Sequence, residues 1–323
     1  MLRRQFVRWG SISATPLSAS AFAQPRYPER AIQMLVGFPG GGALDVATRV
    51  VTNALAEEGL GPIAVINKPG ASATIAAGQA AIAAADGHTA LLATSANMGI
   101  APFMYPKLPY APDKDLVPVA RFAVGQNVIY CGRRAGVTDF RQLRARIASA
   151  PGKLNYASPG AGTTPHLCFE MLKARDRLFI VHVPFRGSPA AITSVLSGEV
   201  DLGVDAIGPT LGHVAAGRLV PLAQTGERRS ASLPDVPTLA ELGIDGIPSG
   251  TYLGFMLPAG TPAPILDRWS EAVRRVTSEP AVVNQLRQLG MDAAYLDARR
   301  FAAVMADERR LWEGAVKYSG ATA

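Results

Sequence analysis

Residues 32–58, with the sequence IQMLVGFPGGGALDVATRVVTNALAEE, decide the fold of this chain. The apolar run Ile32–Val36 predicts a β-strand, and a glycine-rich turn follows it directly. From Asp45 to Glu58 apolar side chains recur on one helical face, at Val46, Val50, Ala54 and Leu55. A strand, a tight turn and a helix in this order begin a βαβ unit, so the sequence predicts an α/β fold with parallel strands.

The same alternation continues towards the C-terminus. Short β-type runs predict further strands at 63–66, 90–93, 128–130, 154–157, 181–183, 200–204, 219–223 and 251–257. Helical patterns follow them at 73–84, 139–148, from 165, 189–196, about 211–216 and about 298–317. Five prolines in residues 101–118 predict an extended connection, because proline fits neither a helix interior nor a central strand.

The order of these elements predicts two doubly wound lobes. We expect lobe 1 to comprise residues 24–122 plus 226–323, and lobe 2 to comprise residues 123–225. The strand at 219–223 is expected to return the chain to lobe 1. Lobe 1 is therefore assembled from both ends of the mature chain.

The first 23 residues differ in composition from the rest of the chain. They contain Arg3, Arg4 and Arg8 but no Asp, Glu or Lys, and a short apolar stretch ends with Ala-Phe-Ala at 21–23. A basic start, a short apolar middle and an Ala-x-Ala end predict a signal peptide, residues 1–23, cleaved after Ala23. Export by the twin-arginine or the general secretory route is open, and we expect a periplasmic protein.

Composition narrows the class of protein. The formal net charge is +7, but the predicted signal peptide carries three arginines and no acid, so the mature chain keeps +4. No nucleic-acid-binding motif accompanies the remaining basic residues, and we expect no nucleic-acid partner. Cys131 and Cys168 could pair in an oxidising compartment, but their apolar surroundings favour buried free thiols.

Motifs for catalysis and metal binding are missing from the sequence. There is no Gly-x-Ser-x-Gly, Ser-x-x-Lys or His-Glu-x-x-His, and the four histidines are not paired at metal-ligand spacing. Asp205 ends a predicted strand, where it is a candidate general base, helix cap, hinge contact or ligand contact. Nothing near it in sequence supplies a catalytic partner, so we expect no enzyme, no cofactor and no metal.

Two glycine-rich turns carry the strongest functional signal. They are FPGGGALD at 38–45 and SPGAGTTPH at 158–166, and each joins a predicted strand to a predicted helix. Glycine lets the backbone approach a ligand closely, and the free N–H groups of a helix start bind anions. Neither turn fits the P-loop or the Gly-x-Gly-x-x-Gly pattern, which disfavours a nucleotide. Both turns lack Lys and Arg, so backbone groups would carry most of the attraction for an anion.

Several longer motifs occur in a fixed order along the mature chain. They include DGHT at 86–89, NYAS at 155–158, HVPFRG at 182–187, LPDVPT at 233–238 and PAGTP at 258–262. In these motifs the sequence resembles the Bug family, the TctC-like receptors of tripartite tricarboxylate transport systems. The resemblance runs from residue 27 to nearly the C-terminus.

The resemblance implies an α/β fold of two doubly wound lobes of periplasmic-binding-protein type (type II-like), with a ligand cleft between them. It implies a monomeric solute-binding receptor that captures a small carboxylate by lobe closure, for the membrane permease subunits of a tripartite tricarboxylate transporter. Carried over by position, the ligand-contacting residues of lobe 1 are Phe38, Gly41, Gly42 and Asp45, with Ser95 and Asn97 as weaker candidates. Those of lobe 2 are Ser158, Gly160, Gly162, Thr163 and Thr164, with Asp205 facing the cleft.

Three departures from the family pattern bear on the identity of the ligand. Gly37 stands where the family frequently has proline, and Leu44 stands where it usually has Thr or Ser. Ser72-Ala73 occupies a site where two glycines are common. Two other functions stay open at this stage: a carboxylate sensor that feeds a signalling partner, and a hydrolase or lyase that uses Asp205 or His166.

Overall fold

The computed structural model of the protein describes residues 27–321, so the predicted signal peptide lies outside the described residues. Its strands are β1 (Ile32–Val36), β2 (Ile63–Asn67), β3 (Thr89–Thr94), β4 (Leu116–Gly132), β5 (Asn155–Ser158), β6 (Val181–Pro184), β7 (Leu202–Ala206), β8 (Leu219–Gln224), β9 (Gly250–Pro258) and β10 (Met291–Asp297). Its α-helices are α1 (Ala43–Leu55), α2 (Thr74–Ala81), α3 (Ala101–Met104), α4 (Phe140–Ser149), α5 (Thr164–Asp176), α6 (Ser188–Ser197), α7 (Ile207–Ala215), α8 (Ala263–Val276), α9 (Pro280–Gln288) and α10 (Ala298–Ser319). The predicted α/β class is confirmed.

Lobe 1 is built on a sheet to which both ends of the chain contribute. The strand order is β2-β1-β3-β9-β4, and β10 also pairs with β4. Strand β1 runs parallel to β2 and β3, whereas β9 is antiparallel to β3 and β4. Helices α1 and α2 cover the parallel strands, and the fully buried Trp269 of α8 belongs to the same apolar core as α1.

Lobe 2 repeats this plan with a smaller sheet. The order is β4-β7-β5-β6, and β8 also pairs with β4. Strands β5, β6 and β7 are parallel, so their carboxyl ends share one edge, and β4 runs antiparallel to β7. In doubly wound sheets this carboxyl edge is where ligands bind.

Strand β4 belongs to both sheets and joins the lobes. Its first part, as far as Gln126, pairs with β9, and its last part, from Asn127, pairs with β7 and β8. The second connection, residues 225–249, links β8 to β9. The two connections hold each other, because Asn127 N–H donates to Thr225 Oγ1 and Thr225 N–H donates to the Asn127 carbonyl, each at 3.0 Å.

The predicted extended connection at 101–118 is wrong at both ends. Pro102 lies in the first turn of α3, where the missing N–H is tolerated. Strand β4 begins at Leu116, twelve residues before the predicted strand at 128–130, and includes Pro118. The pairing with β9 shifts register between Pro118 and Ala120, an irregularity of the kind that accommodates proline within a sheet.

Two further predictions about strands are wrong or incomplete. Strand β8 pairs with β4 inside the sheet of lobe 2, so β9, and not the strand at 219–223, carries the chain back into lobe 1. Strand β10 was not predicted, because its residues are half-buried on a sheet edge and lack a clear apolar alternation. Tertiary pairing with β4 makes it a strand.

A small apolar cluster joins the two lobes away from the hinge strand. Met104 of α3 and Trp312 of α10 pack with Leu167 and Cys168 of α5. Trp312 is fully buried, and burying side chains of this size stabilises a fold by roughly 2–3 kcal/mol each.

Cys131 and Cys168 are both buried free thiols, as predicted. Among the described residues, no helix has the length and apolar character needed to cross a membrane.

Candidate functional site

The two glycine-rich turns adopt the same backbone conformation. Gly41 and Gly162 have φ values of +79° and +74°. The next residues, Gly42 and Thr163, are the N-caps of α1 and α5, with φ and ψ of −72° and 161° and of −74° and 157°. Positive φ is strained for residues with a Cβ, which explains glycine at both positions. The lobes therefore present two copies of one strand–turn–helix unit.

A buried side chain four residues after each glycine braces the turn. Gly41 N–H donates to Asp45 Oδ2 at 2.8 Å, and Gly162 N–H donates to His166 Nδ1 at 3.1 Å. The residues Asp45 and His166 are 1% and 3% exposed. The same role in the same turn is thus filled by a carboxylate in lobe 1 and by an imidazole in lobe 2.

Asp45 is the centre of a polar network behind the first turn. Its Oδ1 accepts from Asn67 Nδ2 at 2.8 Å, and its Oδ2 also accepts from Arg49 Nε at 3.0 Å. Asn67 Nδ2 in turn donates to the Phe38 carbonyl at 3.0 Å. Burial alone would raise the pKa of Asp45, but the hydrogen bonds from Arg49, Asn67 and Gly41 lower it below its usual value. Asp45 is therefore an anion that shapes the turn, with both carboxylate oxygens engaged inside the protein.

A stack of rings supports the second turn. The rings of His166 and His182 stack with centroids 4.0 Å apart, and Tyr156 stacks on His182 at 4.7 Å. His182 Nε2 lies 2.7 Å from Ser158 Oγ, and His166 accepts from the Gly162 N–H, so the stacked rings hold the turn at both ends. Burial lowers the pKa of each histidine to about 4, which keeps both rings neutral near pH 7. The sequence did not predict that the two histidines stack, although His166 ends the second turn and His182 begins the motif HVPFRG.

The helix starts behind both turns are open. Neither α1 nor α5 has a side-chain cap. The N–H groups of the first helical turn have no carbonyl partner within their own helix, and the helix dipole adds partial positive charge there. Residues 40–42 are exposed and residues 162–164 are partly exposed. The N–H groups of Gly41, Gly42, Gly162 and Thr163 are bonded inside their turns, so the N–H groups without a partner among the described residues are those of the first helical residues, Ala43 and Thr164. One such group at each helix start suits a carboxylate.

Asp205 lies at the carboxyl end of β7, the edge that carries the second turn. Its Oδ1 accepts from Ser188 Oγ and from the Ala206 N–H, each at 2.8 Å. Its Oδ2 is buried with no hydrogen-bond partner among the described residues. Burial raises the pKa of Asp205 to about 7, against the lowering effect of those two hydrogen bonds. The free oxygen of Asp205 suits a hydroxyl or ammonium donor on a ligand.

Ser95 and Asn97 are fully buried in the turn that follows β3. Asn97 Oδ1 accepts from the Thr94 N–H at 2.8 Å and its amide donates to the Leu92 carbonyl at 3.0 Å, so its side chain is used to hold that turn. Ser95 Oγ contacts Glu308 Oε2 at 3.2 Å and the Gly250 carbonyl at 3.4 Å. Burial raises the pKa of Glu308 to about 7. Both predicted residues therefore bond to the framework at the base of lobe 1.

Two departures from the family pattern meet in space. A Cβ placed on Gly37 would lie 2.2 Å from Ala73 Cβ and 2.7 Å from Ala73 Cα, so the backbone of residue 73 itself leaves no room for a side chain at 37. The segment 71–73 has positive φ throughout, from 46° to 67°, which is costly for residues other than glycine. The third departure, Leu44, packs on the apolar core of lobe 1. Residues 37 and 73 are therefore in direct steric contact.

The second turn approaches lobe 1 closely. A Cβ on Gly162 would lie 2.5 Å from both Sδ and Cε of Met104, at the end of α3. The next residue, Tyr105, contacts Ser72 through their hydroxyls at 3.3 Å. Ala73 in turn lies against Gly37, the residue directly before the first turn. A continuous chain of contacts thus links the two turns across the cleft.

The molecule has two doubly wound lobes that are joined by paired hinge connections, and each lobe presents an open helix start to the cleft. These features define the two-lobed class of solute-binding proteins. Residues 47–320 match the TctC family, the tripartite tricarboxylate transporter family receptors. Protein BugT of Bordetella pertussis is 31% identical over 314 residues, covering 97% of this chain and 96% of BugT. The chain belongs to the TctC receptor family.

Two solved structures of similar proteins contain carboxylates. Rpa4515 of R. palustris, solved with adipate, superposes with a TM-score of 0.79 at 27% identity, covering 92% of this chain and 99% of that one. MatC of Rhodopseudomonas palustris, solved with bound malate, gives a TM-score of 0.73 at 29% identity, covering 90% and 100%. These comparisons confirm the fold of two periplasmic-binding-protein lobes. Among the described residues, no group of His, Cys, Asp or Glu is arranged to hold a metal ion.

Proposed function

We propose that this chain is an exported periplasmic receptor that captures a small carboxylate between its lobes and delivers it to a membrane permease of the tripartite tricarboxylate type. The observation that carries the proposal is the pair of equivalent turns at Gly41 and Gly162, each in front of an uncapped helix start. Adipate and malate in two similar proteins support a carboxylate as the solute. The receptor performs no chemistry on the bound acid.

The proposed contact set follows the geometry of the turns. Backbone groups of the two turns grip the carboxylate, and Asp205 Oδ2 accepts from a hydroxyl or ammonium group when the ligand has one. Asp45 acts from behind the first turn, as the hydrogen bonds of its two oxygens suggest. Ser95 and Asn97 contribute by holding the turn after β3. The walls of the site are Phe38, Gly41, Gly42, Ser158, Gly160, Gly162, Thr163 and Thr164.

Lobe closure couples binding to delivery. We place the lobes at 24–122 plus 226–323 and at 123–225, close to the hinge contact between Asn127 and Thr225. A ligand that touches both turns stabilises the closed state through contacts that neither lobe makes alone.

A thermal-shift screen of the mature protein, from Gln24 onward, tests the proposal. The panel contains small mono- and dicarboxylic acids, hydroxy acids and the matching amides. We expect one acid to raise the melting temperature while its amide does not, because a ligand that binds only the folded state stabilises it. No shift with any acid, in protein refolded to remove carried-over ligand, would overturn the carboxylate assignment. Chemical conversion of the bound acid into a product would overturn the proposal that the receptor performs no chemistry.

A further inference from the structure

The net positive charge of the mature chain resides in lobe 2. Residues 123–225 contain eleven Lys and Arg against six Asp and Glu, which gives +5. Lobe 1, residues 24–122 and 226–323, contains eighteen against nineteen, which gives −1. Seven of the lobe 2 arginines line two neighbouring concavities, and we call this surface the basic pole: Arg133, Arg134, Arg141, Arg144, Arg146, Arg177 and Arg218.

The basic pole lies at the end of lobe 2 farthest from the ligand turns. The turn at Gly162 follows the carboxyl end of β5, and Asp205 lies at the carboxyl end of β7. The pole surrounds the amino ends of these strands, and the register of Cys131 with Leu202 brings the end of β4 there. A strand of five residues separates the two ends by about 15 Å. The pole therefore takes no part in gripping the solute.

Most of the pole's charge is unpaired. Within the described part of the chain, Arg144 pairs with Asp176 at 3.2 Å, but Arg134, Arg141 and Arg218 form no ion pair. Asp201, which also lines this surface, accepts from the Asn155 N–H at 2.9 Å. The exposed guanidinium groups are thus available to an external partner.

Apolar groups accompany the arginines. Arg141, Arg144 and Arg177 surround a concavity of about 890 Å³ beside Phe179, whose side chain is 75% exposed. Arg133, Arg134, Arg146 and Arg218 surround a second concavity of about 630 Å³ that is also lined by Val195 and Leu196. Large exposed aromatic groups next to arginine are typical of protein interfaces.

We propose that the basic pole is the docking surface for an acidic, partly apolar periplasmic segment of the membrane protein that receives the solute. The inference rests on the proposed receptor function. The arginine fork matches a carboxylate with two parallel hydrogen bonds, and the two concavities admit protruding side chains. A flat array of lipid headgroups would not fill them, which favours a protein segment.

A photo-crosslinking experiment in intact cells tests the docking surface. The full chain carries p-benzoyl-phenylalanine in place of Phe179, and adducts are mapped by mass spectrometry. We expect an adduct with a periplasmic segment of an integral membrane protein that contains several Asp or Glu residues. The triple variant Arg134→Glu, Arg141→Glu, Arg218→Glu should reduce this adduct at least about tenfold, because charge reversal places like charges together.

A matched control reverses three exposed, unpaired arginines of lobe 1: Arg228→Glu, Arg287→Glu, Arg299→Glu. This variant should leave the adduct unchanged. Equal loss in both triple variants, no adduct, or an adduct with a segment that lacks acidic residues would overturn the proposal. Flotation with phosphatidylglycerol vesicles tests the bilayer, and vesicle binding that only the pole variant loses would also overturn it.

The two proposals fail separately. The pole variant should keep its thermal shift with the acid found in the carboxylate screen, because the pole is remote from the ligand turns. A normal crosslink without any carboxylate shift would remove the proposed ligand and leave the docking surface intact.

Discussion

The glycine-rich turns of the two lobes have the same backbone geometry, but the side chains that brace them differ in charge. In lobe 1 the brace is Asp45, an anion held by Arg49 and Asn67. In lobe 2 the brace is His166, a neutral ring stacked on His182. Both braces accept a hydrogen bond from a left-handed glycine four residues earlier.

The difference in charge between Asp45 and His166 should affect how strongly each turn attracts an anionic ligand. A carboxylate near a helix start offsets part of the positive potential that the helix dipole creates there. A neutral imidazole leaves that potential intact. We therefore expect the turn at Gly162 to attract the ligand's carboxylate more strongly, and the turn at Gly41 to contribute mainly shape. Four experiments break or sharpen this comparison.

Removal of the side chains that brace the turns should have the largest effect on stability. Asp45→Ala and His166→Ala each leave a glycine N–H without its partner, and we expect each to lower the free energy of unfolding by about 2–3 kcal/mol. Asp45→Asn and His166→Gln are the matched conservative variants. Chemical denaturation measures the loss. Affinity for the acid should fall more for His166→Ala than for Asp45→Ala, and the reverse order would contradict our ranking of the turns.

The next effect concerns the position at which the chain leaves the strand and approaches each left-handed glycine. Gly37 and Ser158 are the equivalent positions, each four residues before the left-handed glycine. Gly37→Ala should cost about 1–3 kcal/mol because its Cβ would collide with Ala73 Cβ. Ala73→Gly should recover part of this loss in the double variant. A double-mutant cycle with no coupling energy would refute a contribution of the Ala73 methyl group to this clash.

The left-handed glycines themselves give a closer comparison. Gly41→Ala and Gly162→Ala should each cost about 1–2 kcal/mol of stability, because both force positive φ on alanine. Only the new Cβ at 162 meets the other lobe, at Met104, whereas nothing lies within 4 Å of one at 41. Calorimetry should show a larger loss of ligand affinity for Gly162→Ala. Met104→Ala should relieve that loss if the contact across the cleft causes it.

The fourth comparison concerns the pH dependence of stability. Burial lowers the pKa of His166 and His182 from 6.5 to about 4, so their contribution to stability is complete above pH 6.5 and is lost as pH falls towards 4. We expect a loss on the order of 1–3 kcal/mol, since solvent screens the partly exposed His182. The pKa of Asp45 is lowered from 3.8, so the first turn should lose its support only below about pH 4.

Urea unfolding at pH 4 to 8 measures the difference. Asp205 and Glu308 act in the opposite direction, because the pKa of each is raised to about 7, which makes the folded state less stable as pH rises towards 7. The measurement is therefore made in an Asp205→Asn, Glu308→Gln background. If the double variant His166→Gln, His182→Gln retains the full loss between pH 6.5 and 4, another group is responsible.

Much of the fold could be predicted from the sequence where local signals agree. Strand Ile32–Val36 has its predicted bounds, and α1 begins within two residues of its predicted start. Both ligand turns were found because glycine, strand and helix signals coincide. The first part of β4 and all of β10 were missed, because long-range pairing overrides local pattern there.

In the candidate site, too, some features could be predicted from the sequence and others could not. The resemblance to the family predicted Asp45 and Asp205 as ligand contacts. It did not show that Asp45 bonds to Asn67, 22 residues away, behind the turn. The brace role of His166 depends on its stacking with His182, which lies on another strand. Contacts between segments remote in sequence leave no local periodicity from which to predict them.

The sequence by itself determined the α/β class, the two lobes, the two glycine turns and the membership in a receptor family, because each rests on local pattern or on ordered motifs. The tertiary structure decided that the two turns are geometric copies, that Gly37 and Ala73 are in direct contact, and that seven arginines share one pole. Those features depend on which remote segments the sheets bring together. Sheet topology therefore creates the physical differences between the lobes, which the similar glycine-rich sequences do not reveal.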